Sequence, residues 1–146
     1  NLGTETLHLR MPRHSDNTLA LAKAIEKHPA VLWVKYAGLE NDSEHKKAMK
    51  YFYKGYCAGM LSFGIKGGRE AAAKFQKDLK LFRIVTHVAD SKSCALHPAS
   101  TTHRQLSDAD LVAAGVPVEL IRLSVGIEGE QDIINDVVRA LDKTLK

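Results

Sequence analysis

Gly59-Met60-Leu61-Ser62-Phe63-Gly64-Ile65-Lys66-Gly67-Gly68-Arg69-Glu70-Ala71-Ala72-Ala73-Lys74-Phe75-Gln76-Lys77-Asp78-Leu79 changes its hydrophobic period halfway along. Leu61, Phe63 and Ile65 recur at every second position, which places them on one face of a strand. Past the stop at Lys66-Gly67-Gly68 the period becomes helical: Ala71, Ala72, Phe75 and Leu79 form a buried side, with Arg69, Lys74 and Lys77 left to water. A strand feeding a helix through glycines is an α/β unit.

The same alternation extends both ways. Upstream, Leu19, Leu21, Ala22, Ala24 and Ile25 make an amphipathic helix that Ser15 or Asp16 can cap and that His28-Pro29 ends. The earlier Leu2, Leu7, Leu9 and Met11 are too irregular to assign. Val31 to Tyr36 reads as a strand closed by Gly38, and Asp42-Ser43 opens a helix through about Tyr53. Downstream, Leu81 to Val88 and Ile121 to Val125 read as strands separated by a turn-rich connection, Asp90 to Val118. That connection carries one short helix capped at Ser107, and a connection so long is usually functional or disordered. The last helix runs from about Glu130 to Leu145 with Ile133, Ile134, Val137, Val138 and Leu141 inward. Apolar residues at alternate strand positions favour a two-layer α/β sandwich: a small mixed, mostly antiparallel sheet with helices on one face.

A length of 146 residues, 45% hydrophobic, bounds the chain to one domain, residues 1–146. No stretch approaches the ~20 consecutive apolar residues of a membrane helix, so a membrane partner is not expected. Cys57 and Cys94 form no C-x-x-C pair, which suggests neither a disulfide framework nor a zinc site, and makes the reducing cytoplasm the expected location. The chain starts at Asn1 with neither an initiator Met nor a signal-peptide pattern, and is read as a fragment. The formal charge is +4, and the excess lies in the first half. Lys46, Lys47, Lys50 and Lys54 have no acid between them and are interleaved with Tyr51, Phe52, Tyr53 and Tyr56. Such a mixture can suit a nucleic-acid surface, but the i, i+4, i+8 spacing of Lys46, Lys50 and Lys54 is that of a solvated helix face, the simpler reading, and no nucleic-acid partner is expected.

Candidate chemistry is sparse. His87, His97 and His103 lack the pairing of a metal-ligand set, so no metal is expected, and His97-Pro98 reads as a turn histidine bonded to backbone. Gly64-Ile65-Lys66-Gly67-Gly68 is either an anion cradle or a strand-to-helix turn needing positive φ; the turn is the simpler reading. Asp90, Ser91, Ser93, His87 and His97 are near one another in sequence, which does not make a triad. Arg122 stands out. It interrupts the apolar run Ile121 to Val125, and a guanidinium there requires either a ligand carboxylate or an internal Asp or Glu.

His97-Pro98-Ala99-Ser100-Thr101-Thr102-His103-Arg104-Gln105-Leu106 and Ile121-Arg122-Leu123-Ser124-Val125-Gly126-Ile127-Glu128 carry a family resemblance. So do Gly3 to Met11, His28 to Val31, Tyr36 to Leu39 and Ser62 to Ala72. Together they resemble the C-terminal region of the pyridoxal-phosphate enzymes of cysteine and methionine metabolism, and within them the O-acetylhomoserine sulfhydrylases. The resemblance implies that residues 1–146 are the substrate-binding domain of such an enzyme. It implies that Arg122 binds the substrate α-carboxylate, that Thr102 helps hold Arg122, and that His87 stands where many relatives bind the same carboxylate through serine. The cofactor lysine of the family lies in an S-x-x-K block followed by G-H-x-D; no S-x-x-K followed by G-H-x-D is in this sequence. Pyridoxal phosphate is therefore expected on a separate N-terminal cofactor domain, and no catalytic or cofactor-binding residue is expected here. The implied intact enzyme is a homo-oligomer, a homotetramer by resemblance, making homocysteine from O-acetylhomoserine and sulfide. Cystathionine γ-synthase or γ-lyase chemistry is the alternative within the family, and a noncatalytic basic binding module the alternative outside it.

Overall fold

The computed structural model describes residues 2–146; Asn1, and with it the reading of the chain's start, lies outside them. Its elements run α1 (Leu2–Glu5), α2 (Leu7–Ile25), β1 (Val31–Lys35), α3 (His45–Tyr51), β2 (Met60–Ile65) and α4 (Gly68–Asp78). They continue with β3 (Arg83–Ile84), β4 (Cys94–Leu96), α5 (Asp108–Ala113), β5 (Leu120–Ser124) and α6 (Glu130–Thr144). The sheet has the order β1-β2-β5-β4-β3, with β3–β4 parallel and the other pairs antiparallel. This is the mixed, mostly antiparallel sheet that the strand patterns predict.

The alternation in β2 does what its period dictates. Leu61, Phe63 and Ile65 are buried and face the same way as Ile121 and Leu123 of β5, meeting Leu21 and Ile25 of α2, Ala72 and Phe75 of α4, and Ile133, Val137 and Leu141 of α6. Phe75 meets Phe63 edge-on, ring centroids 5.5 Å apart, the favourable quadrupolar geometry. Gly67 and Gly68 at φ 94° and 60° make the turn into α4, so the glycine run is the turn. No helix among the described residues is long and apolar enough to cross a membrane.

Several boundaries move, each for a local reason. Helix α2 begins at Leu7 rather than Ser15, and Ser15 is buried inside it. Its first half turns His14, Ser15, Asn17 and Thr18 inward, so its buried face is polar and invisible to hydrophobic periodicity. The His14 Nδ1–H donates to the Val125 carbonyl at 2.6 Å, and Asn17 Nδ2 donates to the carbonyls of Gly126 and Glu128. Ser15 Oγ accepts the Cys57 N–H at 2.9 Å. Pro12 lies early in the helix and forfeits only the bond to the His8 carbonyl.

Helix α3 spans only His45–Tyr51, because Asp42 spends its carboxylate on the N–H groups of Tyr36 and Glu44 in a preceding turn. The expected strand from Leu81 to Val88 shrinks to Arg83–Ile84. Upstream of it the N–H groups of Lys80, Leu81 and Phe82 go to the Asp136 carboxylate instead of to a neighbouring strand. The connection from Asp90 to Val118 in turn contains a strand the sequence reading missed, β4, alongside the short helix capped by Ser107, whose Oγ accepts the Asp110 N–H.

Candidate functional site

Arg122 is central in β5, cross-strand to Ser62 of β2 and Leu96 of β4, and projects from the sheet face opposite the helices. Strand period alone sends Ile121 and Leu123 into the core and Arg122 the other way. Arg122 is half-buried as a residue, and its one hydrogen bond among the described residues is a long, exposed one, Nη2–H to the Thr86 carbonyl at 3.4 Å. No carboxylate pairs with it among the described residues. Of the two partners the sequence leaves open for Arg122, the internal acid is not there.

Thr86 belongs to the segment joining β3 to β4. A connection between parallel neighbours must pass over one face of the sheet, and the helical face is filled. Residues 85–93 accordingly reach across the open face to β5. The Ala89 N–H donates to Ser124 Oγ at 3.2 Å, and Ala89 adopts a left-handed φ of 58°. Arg10 Nη1 of α2 donates to the Ala89 carbonyl at 3.3 Å. Further on, Ser91 accepts the Ile127 N–H through its carbonyl. Ser93 gives both its N–H and its hydroxyl to the Glu128 carboxylate, at 2.7 and 2.9 Å, while its Oγ accepts the Gly126 N–H. His87 follows Thr86 directly and is exposed.

Thr102 is exposed, and its hydroxyl is paired with His103 Nδ1 at 2.8 Å rather than with Arg122. Its neighbour Thr101 donates to the His97 carbonyl, closing the turn after β4. His97 is fully buried; its Nε2–H donates to the Val118 carbonyl at 2.7 Å, as a turn histidine should, and burial lowers its pKa. Arg69, read from sequence as a solvent-facing residue of α4, instead donates to the Ala99 carbonyl at 2.6 Å and pairs with Asp108. It staples the 97–108 segment to the helical layer.

The structure thus brings Arg122 and the segment bearing His87 together and leaves Thr102 with a different partner. Ser124 and Glu128 were not singled out from sequence. The signal for Ser124 was present, since it lies two residues from Arg122 and so on the same face.

The other candidates resolve into local structure. Lys54 has a left-handed φ of 52° beyond the end of α3, so it does not extend the face of Lys46 and Lys50. Lys47 pairs with Glu44, while Lys50 and Lys54 lie over the rings of Tyr51 and Tyr53. Among the described residues no group of three or more His, Cys, Asp or Glu side chains is disposed to hold a metal ion. Cys57 and Cys94 are free and buried, and burial pushes both thiols up.

Pyridoxal-phosphate chemistry needs a lysine for covalent attachment and a partner for the pyridine nitrogen. Every described lysine is exposed. A groove of about 510 Å³ on the open face includes Lys35, but its other lining residues are Trp33, Ser62, Gly115, Pro117 and Leu120, with no carboxylate among them. The lining of this groove does not make a seat for that cofactor.

Residues 1–142 match the family model described as Cys/Met metabolism PLP-dependent enzyme. An O-acetyl-L-homoserine sulfhydrylase of Leptospira meyeri is 47% identical over 139 residues, covering 95% of this chain and 31% of the relative. A homocysteine synthase of Schizosaccharomyces pombe is 51% identical over 140 residues, covering 96% of this chain and 32% of the relative. The chain thus spans about a third of the length of the curated relatives it matches. Among solved structures, a protein of Campylobacter jejuni described as an O-acetylhomoserine (thiol)-lyase, crystallised with a pyridoxyl-modified lysine, superposes with a TM-score of 0.89 at 39% identity. That match covers 97% of this chain and 33% of the other. The family model over residues 1–142 and the identity of 47–51% over nearly the whole chain show that the chain belongs to the Cys/Met metabolism PLP-dependent enzyme family.

Proposed function

We propose that this chain is the substrate-carboxylate-binding domain of an O-acetylhomoserine sulfhydrylase, which makes homocysteine from O-acetylhomoserine and sulfide. The observation that carries the reading is Arg122: a guanidinium in the middle of an apolar strand, turned to the open face, with a single long bond to a carbonyl and no paired acid among the described residues. Its remaining N–H donors are arranged as a planar fork that fits a carboxylate bidentately. Relatives named as sulfhydrylases and homocysteine synthases support the choice of reaction. Pyridoxal phosphate, bound by residues outside this chain, would supply the electron sink. The part of this chain is to fix the amino acid by its carboxylate, so that the remote charge pair orients the reacting end.

Removing one charge-assisted pair costs about 1.5–3 kcal/mol, or roughly 10- to 100-fold in affinity. Arg122→Ala in the intact enzyme should raise KM for O-acetylhomoserine by that factor, and Arg122→Lys should recover only part of it, because a point charge lacks the fork. Steady-state kinetics with sulfide as nucleophile measures both. An unchanged KM in Arg122→Ala would refute the role, and a preference for cysteine over sulfide would reassign the reaction.

A further inference from the structure

The segment from Val85 to Ser93 is held with more care than its own burial requires. Residues 86–92 are exposed, yet two buried serines, Ser93 and Ser124, are spent on pinning them. Ser124 accepts the Ala89 N–H, and Ser93 is locked by the Glu128 carboxylate and the Gly126 N–H. Gly126 has no room for a Cβ, which would meet the Ser91 carbonyl at 2.5 Å and the Ser93 nitrogen at 2.7 Å, so the segment lies directly on the extension of β5. Ala89 meanwhile takes a left-handed φ of 58°, which disfavours any residue with a Cβ and persists only where surroundings enforce it. Ser124 is that enforcement from one side, Arg10 from the other. None of residues 85–93 belongs to the hydrophobic core. What it fixes is the position of the Thr86 carbonyl against Arg122 and, one residue on, of His87.

We propose that Ser124 and Ala89 are positioning residues of the carboxylate site: the Ser124 hydroxyl holds the left-handed turn at Ala89 and thereby sets the Thr86–His87 edge that Arg122 and the substrate carboxylate share. The proposal rests on the assignment of Arg122 as the carboxylate ligand. It explains why a polar hydroxyl occupies a buried strand position two residues from the arginine. Ser124 has no hydrogen bond to Arg122 among the described residues; it acts through the Ala89 N–H.

The test uses the intact holoenzyme with Ser124→Ala, which removes the acceptor, and Ala89→Val, whose branched side chain opposes the left-handed turn at an exposed position. Each should raise KM for the amino-acid substrate by roughly three- to tenfold, the scale of one lost positioning hydrogen bond, with kcat within about twofold. Hydrogen exchange of the amides at 86–90 should quicken in both. Arg122→Ala runs alongside. If it raises KM while Ser124→Ala and Ala89→Val both leave KM unchanged, the positioning role is overturned and the carboxylate assignment stands. If Arg122→Ala itself leaves KM unchanged, the assignment falls and the proposal with it. A lower melting temperature with kcat reduced and KM untouched overturns the proposal in favour of a merely structural role. Should Ser124→Ala fail to fold, Ala89→Val decides by the same readouts.

Discussion

Asp136 holds the backbone N–H groups of Lys80, Leu81 and Phe82 and the Arg139 guanidinium with a single buried carboxylate on α6. Burial alone would raise its pKa, but the three backbone donors and Arg139 together outweigh burial and hold it below the ordinary carboxylate range. A carboxyl depressed in the folded state contributes stability that is present above the unfolded pKa of about 3.9 and is lost as pH falls through the folded value. Asp136→Asn replaces a charged acceptor by a neutral one and turns an amide toward donors. It should cost about 2 kcal/mol at pH 7, or roughly 5–8 °C in melting temperature. Melting curves at pH 7 and pH 3 check the sign: the gap between wild type and variant should narrow at the lower pH. Asp136 was not read from sequence because an acid between Ile133 and Val137 looks like the margin of an amphipathic stripe. Only the chain segment folded against it reveals three donors lacking other partners. Arg122 was legible for the opposite reason, since an arginine in an apolar strand is anomalous by composition alone.

At the scale of elements, strands with strict period 2 were readable and helices with polar buried faces were not. β2 and β5 fall where alternation puts them, whereas α2 starts well before its apolar stripe because His14, Asn17 and Thr18 are buried on carbonyl partners rather than on hydrophobic ones. The edge pair β1–β2 contains a further dependence. Trp33 lies across Gly64, where an added Cβ would collide with the indole. Gly64→Ala should displace the ring and cost about 1–3 kcal/mol as an overpacked contact. Trp33 is the only tryptophan in the sequence, so its emission reports on this spot alone. A red shift of that emission with a lowered melting temperature is the expected result, and an unchanged spectrum would mean that the ring has other room.

For the molecule as a whole, the open face of the sheet is where the Arg122 guanidinium, the 85–93 segment and the 510 Å³ groove lie, while the helices α2, α4 and α6 occupy the other side. The family resemblance places the cofactor lysine outside these residues, and the open-face groove holds Lys35 with no carboxylate, so the 146-residue chain is expected not to retain pyridoxal phosphate. Incubation with the cofactor followed by desalting should leave a protein without absorbance near the cofactor's visible band; retained colour at one equivalent would place a seat within these residues. The sequence by itself determined the layers and the sheet's character, since hydrophobic period is local and each strand or helix carries its own inward face. It also marked Arg122 as anomalous, because a charge in an apolar strand is a local contradiction. What only the tertiary structure decided is where polar groups find partners. Asp136 meets Lys80 to Phe82, Arg69 meets Ala99 and Asp108, and Ser124 meets Ala89 across distances along the chain that no local pattern encodes. Hydrophobic burial is non-directional and can be read from composition along an element; a hydrogen bond needs a donor and an acceptor brought within about 3 Å, and that is a property of the folded chain.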